Sequence, residues 1–231
     1  MEVPPDGAVA LTRTRTAGTV RVAWVSTALC LVVLALLGAA VWSDVAPLLR
    51  VDAAVSEAMY AGDGRAAGLD GLLEVLTAPG VSWVRYLVFL PVLLWLLLQR
   101  SWWTAAWLVT AVVLVGPLTT VLKEYVGRVR PAFDEGGARY ESLSYPSGHS
   151  AGIAALVAVA LVLAWPLLRA RARRWSLVAG AGIVLLVGFT RMWLGVHYLS
   201  DVLGGWSFGL AWTLGTALLF GALPGGRAAL R

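Results

Sequence analysis

Four stretches of this chain run for more than twenty residues without an Asp, Glu, Lys or Arg: Val22–Ser43, Ser101–Leu122, Ser142–Leu168 and Val202–Gly226. Two shorter runs, Tyr86–Gln99 (extended upstream across Arg85) and Trp175–Thr190, share that character. A helix needs about 20 apolar residues to cross a bilayer core. Hydrocarbon offers no partner for a backbone N–H or C=O, so only helices and closed barrels can span it. The runs are continuous rather than alternating, which selects helices. The expected fold is an all-α integral membrane bundle of six transmembrane helices, near 22–42, 81–99, 102–122, 148–168, 175–195 and 202–222. These make one membrane domain over 22–222, flanked by segments 1–21 and 223–231. Composition agrees: 59% of residues are hydrophobic and 13% charged, against roughly 45–50% and about 25% in soluble domains. An ordinary soluble domain and a disordered chain are both excluded.

Charge predicts the orientation. With the N-terminus inside, 1–21, 100–101, 169–174 and 223–231 share one side and hold ten arginines against Glu2 and Asp6, while the remaining segments hold eight basic and eleven acidic residues. Basic residues concentrate on the cytoplasmic side of membrane proteins, so both termini are expected there, and the short loop Arg169–Arg174 is the strongest local indication. The formal charge of +5 therefore reads as membrane orientation rather than nucleic-acid binding. Arg13, Arg15 and Arg21 precede a run too long for a signal-peptide core of about 7–15 residues, which favours an uncleaved anchor helix. Trp24, Trp42, Trp83, Trp102, Trp103, Trp165, Trp175 and Trp193 fall near the expected interfaces, where the amphipathic indole anchors. The outer segment 43–80 has Val51, Val55 and Met59 at helical spacing, then Leu69, Leu72, Leu73 and Leu76, with Asp52, Glu57, Asp70 and Glu74 between. It reads as two short amphipathic helices packing over the bundle.

Few polar residues remain in such a chain, and an ionisable group inside a membrane is costly to keep. The only Lys and both His lie at span ends that alternate in direction yet meet at one face. Lys123 closes the third span, His149 opens the fourth, Arg191 closes the fifth, and His197 and Asp201 precede the sixth. A terminal Lys alone is commonly a snorkelling anchor, but four such coincidences at one face ask for a shared cause. Ser147 is a good N-cap and Gly148 leaves backbone amides accessible, making a helix start suited to an anion. His197 and Asp201, if helical, lie one turn apart on one face, so the carboxylate can fix the imidazole tautomer and the other nitrogen can act as nucleophile or base. Lys123, Arg130 and Arg191 supply fixed positive charge, and arginine can grip phosphate oxygens in pairs. That inventory suits phosphoryl transfer without a metal. One Cys and two His exclude a disulfide framework, a cysteine zinc site and a histidine-rich cage. Glu124, Asp134, Glu135 and Glu141 read as solvated loop charges rather than a two-metal cluster, so neither metal nor cofactor is expected.

Taken in order, Lys123 through Arg130-Pro131, then Pro146-Ser147-Gly148-His149, then Arg191 through His197 and Asp201, the sequence resembles the type 2 phosphatidic acid phosphatase superfamily, which includes bacterial acid phosphatases and vanadium haloperoxidases. Thr190 stands where that family usually has Ser. The resemblance implies a phosphohistidine formed on His197, with Asp201 as its orienting partner and His149 as general acid and then base. It implies a phosphate cradle of Lys123, Arg130, Ser147, Gly148 and Arg191, with Arg128 assisting. It also implies a membrane lipid phosphate or diphosphate as substrate, of phosphatidate, phosphatidylglycerol phosphate or undecaprenyl diphosphate type, while the span parity and the charge distribution put the site on the outer face of the plasma membrane. A lipid phosphotransferase would use the same residues, and an inactive lipid transporter or scaffold is the reading from another class. A haloperoxidase is disfavoured by the membrane spans. Gly205-x-x-x-Gly209 is a small-residue motif for close helix packing or dimerisation, Cys30 reads as a small apolar residue mid-span, and Arg65 and Arg85 receive no role.

Overall fold

The computed structural model describes residues 6–62, 64, 67–133, 136–137 and 142–230. Nine α-helices run through these residues: α1 (Asp6–Trp42), α2 (Ala46–Met59), α3 (Ala67–Thr77), α4 (Ser82–Leu98), α5 (Trp102–Val113), α6 (Val115–Val126), α7 (Gly148–Ala164), α8 (Ala170–Trp193) and α9 (Leu199–Phe220). A two-residue antiparallel pairing, Ala132–Phe133 with Gly136–Gly137, is the only sheet among them. Glu2, Arg65, Asp134, Glu135, Glu141 and Arg231 lie outside the described residues, as do the side chains of Asp6, Arg13 and Arg15.

Five segments are long and apolar enough to span a bilayer: Ala17–Trp42, Trp102–Val126, Gly148–Leu167, Ala170–Trp193 and Leu199–Phe220. A sixth exists if Gly68–Gly80 and Ser82–Leu98, which meet at a 50° bend, form one broken span. Alone, the 17 residues of α4 reach about 25 Å at 1.5 Å each, short of a hydrocarbon core of about 30 Å. The segment 43–80 does form two helices, but only α2 stands clear of the spans; α3 runs into α4 through a 3-10 turn at Ala78–Gly80. The helix that carries the first span extends back unbroken to Asp6.

α9 packs between α1 and α7, and α7 in turn carries α8 and α6. The deepest apolar cluster gathers Leu96, Trp107, Leu108, Ala111, Val159 and Ala217, while Leu29, Leu36, Leu98 and Leu219 are exposed, as side chains facing lipid must be. α6 ends at Gly127, whose φ of 72° is left-handed and whose N–H closes on Lys123 O at 2.8 Å; glycine meets that conformation without a Cβ penalty. This stop turns the chain so that Arg128 and Arg130 follow Lys123 across the same end of the bundle. At the opposite end the residues after α9 fold back rather than trail away. Gly221 caps the helix at φ 68°, Thr104 Oγ1 donates to Ala228 O at 2.9 Å, and the Arg227 guanidinium stacks over Trp103 at 3.9 Å.

Candidate active site

The end of α6, the start of α7, the end of α8 and the start of α9 converge at one end of the bundle, as alternating span directions require. His197 is buried there, 1% exposed, in the turn before α9 rather than on it, since α9 begins at Leu199. Its pairing with Asp201 therefore arises differently from two residues stacked on a helix face. Asp201 is the third residue of α9 and its Oδ2 accepts from the Tyr198 N–H at 2.9 Å, satisfying an orphan donor of the helix start. The same oxygen lies 3.3 Å from His197 Nδ1. Ser144 Oγ donates to Asp201 Oδ2 and sits 3.3 Å from His197 Nδ1.

The other ring nitrogen decides the tautomer. Arg130 Nη1 approaches His197 Nε2 at 3.2 Å, and a guanidinium can only donate. Nε2 is then the acceptor and Nδ1 carries the proton toward Asp201. Burial pushes the His197 imidazole down to about 3, against the opposing pull of Asp201, so at neutral pH the ring is uncharged with its lone pair at Nε2.

Arg130 is held across the site by Ser142 O (2.7 Å from Nε), Ser142 Oγ (2.9 Å from Nη2) and Val196 O (2.6 Å from Nη1). The Lys123 amine donates to Leu143 O and to Ser144 O at 3.2 Å from the latter, so its charge lies under the loop that leads into α7. Arg191, 2% exposed, reaches Thr77 Oγ1 of α3 at 3.4 Å. Ser147 caps α7, its Oγ 3.4 Å from the Ser150 N–H and 3.1 Å from Ser150 Oγ, and its own N–H donates to Asp201 O at 2.9 Å, tying the start of α7 to that of α9. His149 lies on the first turn of α7 within the electrostatic reach of Arg191, His197, Arg130 and Lys123. The structure thus brings Lys123, Arg130, Ser147, Gly148, His149, Arg191, His197 and Asp201 to one place.

Arg128 stands apart from that cradle. Its Nη1 donates to Asp201 Oδ1 at 2.8 Å and Ser200 Oγ at 2.6 Å, and its Nη2 to Asp52 Oδ2 at 2.7 Å. Burial opposes its charge, but Asp201 and Asp52 outweigh that and raise its proton affinity further. Asp52, Ser144 and Ser200 were not singled out from the sequence. Asp52 is nearly 150 positions from Ser200, and on α2 it reads as one more acid on a polar face. Arg85, which carried no sequence role, is 1% exposed; its Nη1 donates to Gly80 O and its Nη2 to Ser82 Oγ, each at 3.1 Å. It thereby braces the bend before α4, where Gly80 lies close against the His149 backbone. Among the described residues no group of three or more His, Cys, Asp and Glu is placed to hold a metal ion.

Residues 104–223, just over half of the chain, match the PAP2 superfamily. Over 96 residues the chain is 44% identical to phosphatidylglycerophosphatase B of Bacillus subtilis, covering 40% of this chain and 46% of that protein. Over 129 residues it is 36% identical to a lipid A 1-phosphatase of Rhizobium etli, covering 51% of each. The alignments thus span about half the length of these curated relatives. The crystal structure of a transmembrane PAP2 type phosphatidylglycerolphosphate phosphatase from Bacillus subtilis superposes with a TM-score of 0.66 at 28% identity, over 83% of this chain and 94% of that one.

Proposed function

The chain belongs to the PAP2 superfamily, and from that premise we propose that it is a multi-pass membrane phosphatase that hydrolyses a lipid phosphate or diphosphate. The observation that carries the reading is the buried His197, its Nδ1 backed by Asp201 and its Nε2 turned toward Arg130. In the first step the Nε2 lone pair attacks the terminal phosphorus, the bond from it to the lipid ester oxygen of a monophosphate, or to the bridging oxygen of a diphosphate, breaks, and His149 protonates the departing oxygen. Asp201 stabilises the charge that appears on the His197 ring. In the second step His149, now a base, takes a proton from water, the water oxygen attacks the phosphohistidine, the N–P bond breaks, and inorganic phosphate leaves.

Lys123, Arg130, Arg191 and the amides at the start of α7 stabilise the equatorial oxygens as charge spreads over them. A methyl group at Gly148 would meet only Thr119 Cγ2, at 3.8 Å; internal packing does not demand a bare residue there, which supports a role in the close approach of phosphate to backbone. These steps require no metal. Phosphatidate, phosphatidylglycerol phosphate and undecaprenyl diphosphate are the substrates to test first, because each presents a phosphate at the depth where these span ends lie. The arginine distribution supports a plasma-membrane orientation with both termini cytoplasmic and the site on the outer face.

The test is phosphate release by purified protein from that panel of lipids, with and without EDTA. His197→Ala is expected to lower turnover at least about a thousandfold while leaving a monodisperse, folded protein, and EDTA is expected to leave wild-type turnover intact. Wild-type turnover by the alanine variant would refute the nucleophile, and strict dependence on added metal would refute the metal-free route.

A further inference from the structure

We propose that Asp52, on the outer helix α2 and beyond all three signature segments, positions the nucleophile of this site through Arg128. The inference rests on His197 acting as proposed above. Asp52 is 1% exposed, and an unpaired carboxylate so placed would be strongly unfavourable. Both of its oxygens are engaged. Oδ1 accepts from the Ser200 N–H at 2.9 Å, and Oδ2 accepts from Ser200 Oγ at 2.5 Å and Arg128 Nη2 at 2.7 Å.

Ser200 is the second residue of α9, so Asp52 satisfies one orphan N–H of that helix from another helix and places negative charge at its positive end. Asp201 satisfies the neighbouring donor, Tyr198 N–H. The start of α9 is thus held between two carboxylates with Arg128 joining them. The planar guanidinium fixes their relation, because Nη1 and Nη2 sit in a rigid fork. Nη2 goes to Asp52 and Nη1 goes to Asp201 Oδ1 and Ser200 Oγ. The Tyr198 ring, 4.0 Å from the guanidinium carbon, limits the tilt of that plane.

With Oδ1 of Asp201 held this way, Oδ2 is the oxygen that faces His197 Nδ1. Take the Asp52 charge away and Arg128 loses one of its two carboxylates. Arg128 can then shift and draw Asp201 Oδ1 with it, tilting the carboxylate about the Oδ2 that Tyr198 N–H and Ser144 Oγ still hold, and the imidazole loses the orientation that aims Nε2 at phosphorus. Asp52 touches neither substrate nor nucleophile in this arrangement. It is a positioning residue, and its loss should appear in the chemical step rather than in phosphate binding, because its hydrogen bonds go to Ser200 and Arg128.

The experiment measures kcat, KM for phosphatidate in detergent micelles, and the inhibition constant of inorganic phosphate, alongside apparent Tm. The variants are Asp52→Asn, Arg128→Gln, the double variant and His197→Ala. Asp52→Asn is expected to lower kcat on the order of a hundredfold, the penalty of a small misalignment at the reacting centre, with KM and the phosphate constant within about threefold of wild type. The double variant is expected to lose no more than the worse single one, because both break the same link. Wild-type kcat in Asp52→Asn alongside an inactive His197→Ala overturns the positioning role and leaves the proposed function standing. Activity in His197→Ala overturns the function itself. Parallel loss of kcat, phosphate affinity and Tm would mark Asp52 as a structural staple and also overturn the proposal. If Asp52→Asn does not fold, Ser200→Ala, which removes one hydroxyl from the same network, is judged by the same separation of kcat from binding.

Discussion

Gly209 offers a sharp test of how the bundle sets the site. A Cβ built there would lie 2.2 Å from Ala151 O and 3.0 Å from Ala154 Cβ, both on α7. The first is a helical carbonyl that cannot rotate aside, so α9 and α7 must part by about 0.8 Å to restore even a 3.0 Å contact. Overpacking of this kind costs about 1–3 kcal/mol, more than the helix-propensity gain of up to about 1 kcal/mol that Gly→Ala brings. At about 2–4 °C per kcal/mol for a chain of this size, Gly209→Ala should lower the apparent Tm by several degrees. The functional effect should be larger. Ala151 sits two residues beyond His149, and the separation would also strain the Ser147 N–H to Asp201 O bond of 2.9 Å that ties the two helix starts. A shift approaching 1 Å at a reacting centre costs on the order of a hundredfold in rate. The control is Gly215→Ala on the same helix, where a Cβ meets only Thr27 Cγ2 at 3.5 Å; there Tm and turnover should hold or rise slightly. Both are read by thermal unfolding in detergent and by phosphate release. A Gly209→Ala protein with wild-type Tm and turnover, or a Gly215→Ala protein equally impaired, would refute the reasoning.

Two further outcomes follow from burial and from charge. His197 is held neutral down to about 3 instead of near 6.5, so between those values the unfolded chain binds a proton that the folded chain does not, and stability present above pH 6.5 should be lost as pH falls toward 3; apparent Tm against pH should fall less steeply in His197→Asn than in wild type, and equal slopes would remove His197 as the cause. With Cys30 replaced by Ala, a Glu57→Cys variant should label with a membrane-impermeant maleimide in intact cells, whereas Arg171→Cys should label only after permeabilisation; the reverse pattern would invert the proposed orientation.

The small-residue motif at Gly205 and Gly209 shows the limit of reading a sequence alone. Its spacing indicates a surface made for close approach, and the partner turns out to be α7 of the same chain, where a Cβ at Gly205 would meet Ser147 O at 2.5 Å. The broken span shows a different limit. Leu69, Leu72, Leu73 and Leu76 mark an amphipathic helix correctly, but hydropathy is blind to the 50° bend that runs α3 into α4. That geometry depends on Arg85 and Gly80, which meet across a turn.

Features that depend on one segment at a time are legible in the residues alone. Uncharged runs require helices wherever they cross hydrocarbon. The arginine distribution indicates which ends lie together. Alternating direction brings Lys123, His149, Arg191 and His197 to one end without knowledge of any contact. Tertiary structure decided whatever two distant segments do jointly. His197 leaves the helix and meets Asp201 through a cap, Arg128 turns from the cradle to the carboxylates, and Asp52 closes onto Ser200 across nearly 150 positions. The physical reason is that hydrophobic periodicity is a property of one helix in one solvent, whereas a buried charge is tolerated only with a partner, and the partner's identity depends on how the helices pack.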